Sequence, residues 1–401
     1  MQIFWGRCCF FIRVIRANTL GGSTARLLGS PQTWGEIMSE QKWIVWGLDL
    51  SLFTGKLEAI LRAKGIAYER KNITSKLWPQ LARKVGIQHM PYIELPDGRF
   101  LSDTTLILRY LEEHTDGPTL CAAPGATRFM SRLIEDWADE YLWRPAMYYR
   151  WNHPDSREMM SGRIVDQFAI DIPAPRWLKK RMTIARQLGI YVKRDGVRTK
   201  AQKDATEALY LWLLDELNSI FERRPFLLGD RPCEADFGLF APFFRHFFAD
   251  PVPGPIMQDR APYVLLWAAR LWATKPADFE QDPLIGAVPD DLTPILSHIG
   301  EAYLPYLRAN AQAVAKGEKW TKSTSLGVEW QEFTKPFRLW CLSDLQDQFA
   351  ALSDDQKTAV ETRLGKPALD LITAPLPATP DTPPGLPITP KGERARDSWM
   401  R

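Results

Sequence analysis

Apolar positions in the first quarter of the chain switch between two spacings. Trp43-Ile-Val-Trp46 is a short apolar run ending at Gly47, which predicts a strand. Leu57, Ile60 and Leu61 follow at helical spacing, and Gly65 stands where a helix ends on a left-handed residue. A second strand is expected around Ala67 to Ile73, then a loosely helical connector carrying Trp78 and Leu81. Tyr92 to Leu95, the turn residues Pro96-Asp97-Gly98 and then Phe100-Leu101 predict a hairpin. Ser102, Asp103 and Thr104 supply capping groups ahead of Leu106, Ile107, Tyr110 and Leu111, which again have helical spacing. The order is β-α-β, connector, β-β-α.

After Gly117-Pro118 the pattern becomes long and helical. Phe129, Leu133, Trp137 and Tyr141 repeat every fourth residue and predict one helix from Arg128 to Trp151. Residues 152–200 read as polar and irregular, with a helix from Trp177 to Val192. Leu209, Leu213, Leu217 and Ile220 mark another helix, followed by helices over Phe237–Phe248 and Tyr263–Ala273. Further helices are expected near Ile295–Ala315 and Leu342–Leu364, joined by the Trp-rich stretch Trp320–Trp340. Prolines at 375, 377, 380, 383, 384, 387 and 390 predict a disordered tail over residues 367–401.

Composition changes little in this outline. A net charge of +3 over 401 residues carries no nucleic-acid or membrane signal, so neither partner is expected. The 16 tryptophans suggest large aromatic cores or an aromatic-lined cleft. Cysteines at 8, 9, 121, 233 and 341 lack metal or redox-pair spacing and suit a reducing compartment, and the five histidines have no ligand spacing, so no metal is expected. Residues 1–37 hold no acidic residue before Glu36 and are rich in Arg, Ser and Thr. They read as a targeting segment or as an over-long start ahead of Met38. The expected location is the cytoplasm, or the mitochondrion if 1–37 is a genuine transit peptide.

The order around Met90-Pro91 and Asp103-Thr104 resembles the thioredoxin-like domain of glutathione transferases. Ser51-Leu-Phe is similar to the Ser-Pro-Phe of tau-class members, with Leu52 in place of the proline. Arg224-Pro-Phe-Leu-Leu-Gly-Asp-Arg-Pro-Cys233-Glu-Ala-Asp236-Phe closely resembles a second segment of the family, in which a hydroxyl residue and an aspartate cap a buried helix. The resemblance spans roughly residues 43–275. It implies an α/β thioredoxin-like domain at 42–116 and an all-α domain at 125–285, with 286–366 as an added helical extension.

For chemistry, the resemblance implies glutathione as co-substrate and a small hydrophobic electrophile as second substrate. Ser51 would activate the thiol, the Met90 backbone before a cis Pro91 would hold the cysteinyl part, and Asp103-Thr104 would hold the γ-glutamyl end. A helix N-terminus suits that carboxylate on physical grounds. Lys76 or Trp78 would meet the glycine carboxylate, and Thr54 is the substitute for Ser51. The nearby Asp49 would oppose a thiolate. Ser51 as a plain helix cap is an alternative. So are a non-catalytic scaffold of the same fold and a glutathione-dependent isomerase or dehalogenase. A homodimer is compatible with the resemblance.

Overall fold

The computed structural model describes residues 42–391. The segment 1–37, with Cys8 and Cys9, lies outside the described residues, as do residues 392–401. Strand β1 (Trp43–Gly47) leads through helix α1 (Leu52–Ala63) to β2 (Tyr68–Asn72), and α2 (Leu77–Val85) leads to the hairpin β3 (Tyr92–Glu94) and β4 (Phe100–Ser102), followed by α3 (Thr104–His114). The sheet order is β2-β1-β3-β4, with β1 parallel to β2 and the other pairs antiparallel. This is the expected thioredoxin-like arrangement. Val45, Ile60, Ile93, Leu101, Ile107 and Leu111 are fully buried, and they are the positions the two spacings had selected.

Next come α4 (Ala126–Tyr141), α5 (Trp143–Asn152), α6 (Pro154–Gln167) and α7 (Arg176–Gln187), which runs on as a π turn to Lys193. The predicted helix 128–151 is therefore two helices meeting at Leu142, and the stretch read as irregular contains α6. Pro154 sits at the first turn of α6, where its missing N–H leaves no bond unmade. Helices α8 (Lys200–Arg223), α9 (Glu234–Pro242), α10 (Pro253–Arg260) and α11 (Pro262–Ala273) complete this layer. At Gly238 a Cβ would come within 2.7 Å of the Glu135 Cα, so glycine permits the close approach of α9 to α4.

The cap of α9 differs from expectation in one respect. Asp236 accepts from the Cys233 N–H at 3.2 Å, as the motif implied. The Ala235 N–H, however, is taken by the Ser131 hydroxyl of α4 at 3.2 Å. A neighbouring helix thus supplies a capping oxygen that the Cys233 thiol supplies poorly.

The extension is not purely helical. Helix α12 (Thr293–His298) passes through a π turn into α13 (Leu304–Ala315), and an antiparallel hairpin of β5 (Trp320–Ser325) and β6 (Val328–Phe333) follows. Its two-residue turn, Leu326-Gly327, has φ of 50° and 76°, the left-handed pair that a tight hairpin needs. The expected helix 342–364 is two, α14 (Phe337–Ala350) and α15 (Asp354–Leu364), with α16 (Lys366–Thr373) after them. Ser353 caps α15 with a reciprocal bond to Gln356, which explains the break.

The proline-rich segment is ordered over its described part, against expectation. Arg308 gathers the carbonyls of Leu371, Ile372, Ala374 and Pro375, fixing one end. At the other, Ile388 exchanges two backbone bonds of 2.7 and 2.9 Å with Phe100 on the free edge of β4. Few apolar groups were available, yet Ile388 is 8% exposed, and backbone pairing supplies the remainder.

Ion pairs join the extension to α3–α5. Arg109 forms a two-point bond with Asp344 at 2.7 and 2.6 Å, and Arg338 reaches Glu140 at 2.7 Å as well as Tyr306. Arg144 pairs with Glu332. Because Arg338 is buried, replacing it with alanine strands Glu140 in a poorly solvated place. Arg338→Ala is expected to cost about 3–5 kcal/mol in urea unfolding, whereas a fall below about 1 kcal/mol would show the network to be dispensable.

Candidate functional site

The backbone at Met90-Pro91 is cis, and Met90 makes no backbone hydrogen bond among the described residues. The preceding α1 starts on Ser51, whose Oγ accepts from the Thr54 N–H at 3.3 Å. That bond uses an oxygen lone pair and leaves the hydroxyl hydrogen free to donate. Asp103 caps α3, accepting from the Thr105 and Leu106 N–H groups at 3.0 and 3.2 Å with φ of 73°. The Thr104 N–H and hydroxyl bond to nothing among the described residues.

Ser51, Met90, Pro91, Asp103 and Thr104 all face one cavity of about 840 Å³. This lies toward the upper end of the roughly 300–1,000 Å³ usual for small-molecule sites. Beside the Ser51 loop the wall is aromatic: Phe53 stacks on Trp143 at 6.2 Å, and Tyr191 meets Trp143 edge-on at 5.4 Å. The extension contributes Lys335, Phe337, Arg338, Trp340 and Cys341, and the proline-rich segment contributes Asp381 to Pro384. Sequence reasoning missed these last two groups, although the Trp-rich stretch was a visible hint.

Three expectations change. Lys76 is not among the cavity residues; its backbone N–H is held by Asp171 at 3.0 Å, and Trp78 lines the cavity instead. Thr54 is buried beneath the loop, where its hydroxyl accepts from the Leu48 N–H at 3.4 Å, so it does not stand in for Ser51. Asp49 lies outside the cavity wall, within 3.4 Å of Arg70 and 3.3 Å of Gln167, so its charge is engaged elsewhere.

The acidic wall comes from α4. Lys56 of α1, fully buried, reaches Glu135 at 2.7 Å and Asp139 at 2.5 Å. Burial alone would lower the Lys56 pKa, but the two carboxylates outweigh it and hold it above the usual lysine value. Burial pushes Asp139 well up, and Lys56 only partly restores it. Among the described residues the Oδ1 of Asp139 has no hydrogen-bond partner. Asp136 accepts from the Tyr303 hydroxyl at 2.6 Å; burial nevertheless pushes its pKa up to about 7. Asp103 is raised by the same cause, offset in part by the Leu106 N–H.

Comparison with known proteins adds a family to this geometry. Residues 46–119 match the family model described as "Glutathione S-transferase, N-terminal domain", and this domain belongs to the glutathione transferase superfamily. No curated protein matches the chain. Among solved structures, a glutathione S-transferase from Rhodospirillum rubrum F11 is similar at 19% identity, covering 62% of this chain and 96% of its own, with a TM-score of 0.41. The beta-etherase LigF from Sphingobium sp. strain SYK-6 is similar at 18% identity, with 59% and 97% covered and a TM-score of 0.42. Rice GST1 in complex with glutathione is similar at 18% identity, with 58% and 86% covered and a TM-score of 0.37.

The raised Asp136 has a measurable sign. An unfolded aspartate releases its proton near pH 4. The folded one holds it to about pH 7, so folding binds a proton between those values. Stability from this group is therefore full at low pH and is lost as pH rises from about 4 to 7. Asp136→Asn, which still accepts from Tyr303, is expected to be more stable than wild type at neutral pH, by on the order of 2–4 kcal/mol. The difference should vanish near pH 4 in thermal melts. A constant difference across that window would show that Asp136 ionises normally.

Proposed function

We propose that the cavity binds glutathione and that Ser51 activates its thiol for attack on an apolar electrophile. The observation that carries this reading is the meeting on one cavity of three unspent groups: the Ser51 hydroxyl hydrogen, the Met90 backbone and the Thr104 N–H with its hydroxyl. An extended tripeptide pairs its cysteinyl backbone with Met90, seats its γ-glutamyl carboxylate on the N-terminus of α3, and so brings its sulfur toward Ser51. A thiolate attacks electrophiles where a thiol does not, and a donated hydrogen bond at the start of α1 stabilises that anion. The Phe53, Trp143 and Tyr191 wall supports an apolar or aromatic second substrate. An isomerase or dehalogenase would use the same thiolate and differ only in what enters that aromatic side.

Loss of the thiol donor and loss of the carboxylate anchor separate kinetically. Ser51→Ala is expected to cut turnover with chlorodinitrobenzene by about tenfold to a thousandfold while leaving glutathione affinity nearly intact. The ultraviolet absorbance of bound thiolate should then titrate at higher pH. Wild-type protein that binds no glutathione, or binds it without lowering the thiol pKa, would leave the fold as a non-catalytic scaffold.

Thr104→Ala has the opposite signature. It should weaken glutathione binding by about tenfold with a smaller effect on turnover at saturation, because Thr104 meets the unreactive end of the peptide. Equal losses in affinity and turnover would place Thr104 near the sulfur and reverse the proposed orientation.

A further inference from the structure

Exposed apolar side chains are not scattered evenly over the described residues. Of eleven large ones that stand exposed, five lie between Met159 and Met182. Ile170, Trp177 and Met182 are each more than 60% exposed, and Ile172 is 40% exposed. Lys179 donates to the carbonyls of Ala169 and Ile172, so the loop carrying Ile170 and Ile172 lies against α7. Among the described residues Trp177 enters no ring contact. Loop and helix thus gather exposed apolar side chains in one short segment, and such a concentration of uncovered apolar groups marks a binding region.

Charge follows the same segment. Between Asp171 and Asp195 the chain holds seven basic residues and no acidic one. Asp166 pairs with Arg176 and Glu158 with Lys180, which neutralises the side of α7 facing α6. Arg181 and Arg186 form no ion pair among the described residues, and both are exposed. Arg181 comes one helical turn after Trp177 and directly before Met182, so an exposed cation stands next to exposed aromatic and aliphatic groups. Trp beside Lys and Arg suits the headgroup depth of a bilayer, where the ring is half in hydrocarbon and the cations meet lipid phosphates.

We propose that α7 and the Ile170–Ile172 loop dock the protein onto an anionic membrane surface. A second copy of the chain is a poorer occupant: a two-fold interface would set this basic patch against itself. An anionic bilayer complements both the charge and the apolar groups, because each cation near its surface meets a negative potential. A net charge of +3 over 401 residues averages this local basic segment away. The docking also has a bearing on the cavity. Arg186, Gln187 and Tyr191 at the end of α7 line the cavity, so the docked face adjoins the wall behind which an apolar substrate would sit.

Co-sedimentation of the full chain with vesicles tests the docking, and it requires neither glutathione nor turnover. Wild-type protein is expected to bind phosphatidylcholine vesicles containing phosphatidylglycerol, to bind pure phosphatidylcholine weakly, and to be released by salt. Trp177→Ser with Met182→Ser, and separately Arg181→Glu, should each weaken vesicle binding by about tenfold, with melting curves unchanged. Equal sedimentation with both vesicle types would overturn the proposal. So would anionic binding that survives both variants, since another part of the chain would then be responsible. A wild-type dimer that the Trp177 and Met182 substitutions dissociate would make the same surface an interface between copies. Because the readout is independent of the thiol chemistry, a failed transferase assay leaves it standing.

Discussion

The bond from Lys56 to Glu135 and Asp139 holds the two halves of the protein in register. It runs from the helix that begins at Ser51 to the helix that forms the acidic side of the cavity. No water reaches the lysine, so its charge must be met by these carboxylates or forfeit several kcal/mol of hydration. A pair of this kind adds little net stability against an apolar substitute, yet it tolerates few geometries. Thr105 at the start of α3 donates to Glu135 at 3.0 Å, which ties a third element to the same point. The N-terminus of α3, the start of α1 and the face of α4 are therefore positioned by one cluster. Any ligand spanning Ser51 and Thr104 inherits its fit from that arrangement.

Much of the first domain could be read directly from spacing. The periods of 2 and 3.6, the Gly65 and Gly98 turns and the capping run at Asp103 all agree with the tertiary structure, because each element buries one regular face. The hairpin at 320–333 was hidden for a physical reason. Its strands carry Thr, Lys and Ser where apolar alternation is expected, and Leu326 occupies a left-handed position that usually holds Asn or Gly. The split at Leu142 leaves the hydrophobic stripe unbroken, so periodicity alone could not locate it. The proline-rich segment was read from composition, which predicts an inability to form a core. It says nothing about backbone groups that pair with an exposed strand edge.

The candidate site divides in the same way. Ser51, Met90, Pro91, Asp103 and Thr104 sit at the ends of strands and helices, where a local motif determines the backbone, and their meeting was foreseeable. Lys76 sits in a connector whose course depends on α6 and its following loop; there Asp171 holds the Ser75 hydroxyl and the Lys76 N–H. Long-range contacts of that sort leave no periodic trace. Asp136 likewise looks like any acidic residue on an amphipathic helix until Tyr303 arrives from the extension.

The wall formed by Asp381 to Pro384 has a consequence in time as well as in space. A chain emerges from the ribosome from its N-terminus, and domains generally fold as they appear. The hairpin flanked by Met90 and Asp103 can assemble long before the segment that completes the enclosure has been synthesised. For most of its synthesis the protein therefore carries a half-built chamber, with the edge of β4 unpaired and its aromatic lining open to solvent. A nascent chain in that state is exposed to mispairing along the strand edge, and the late arrival of Ile388 closes it.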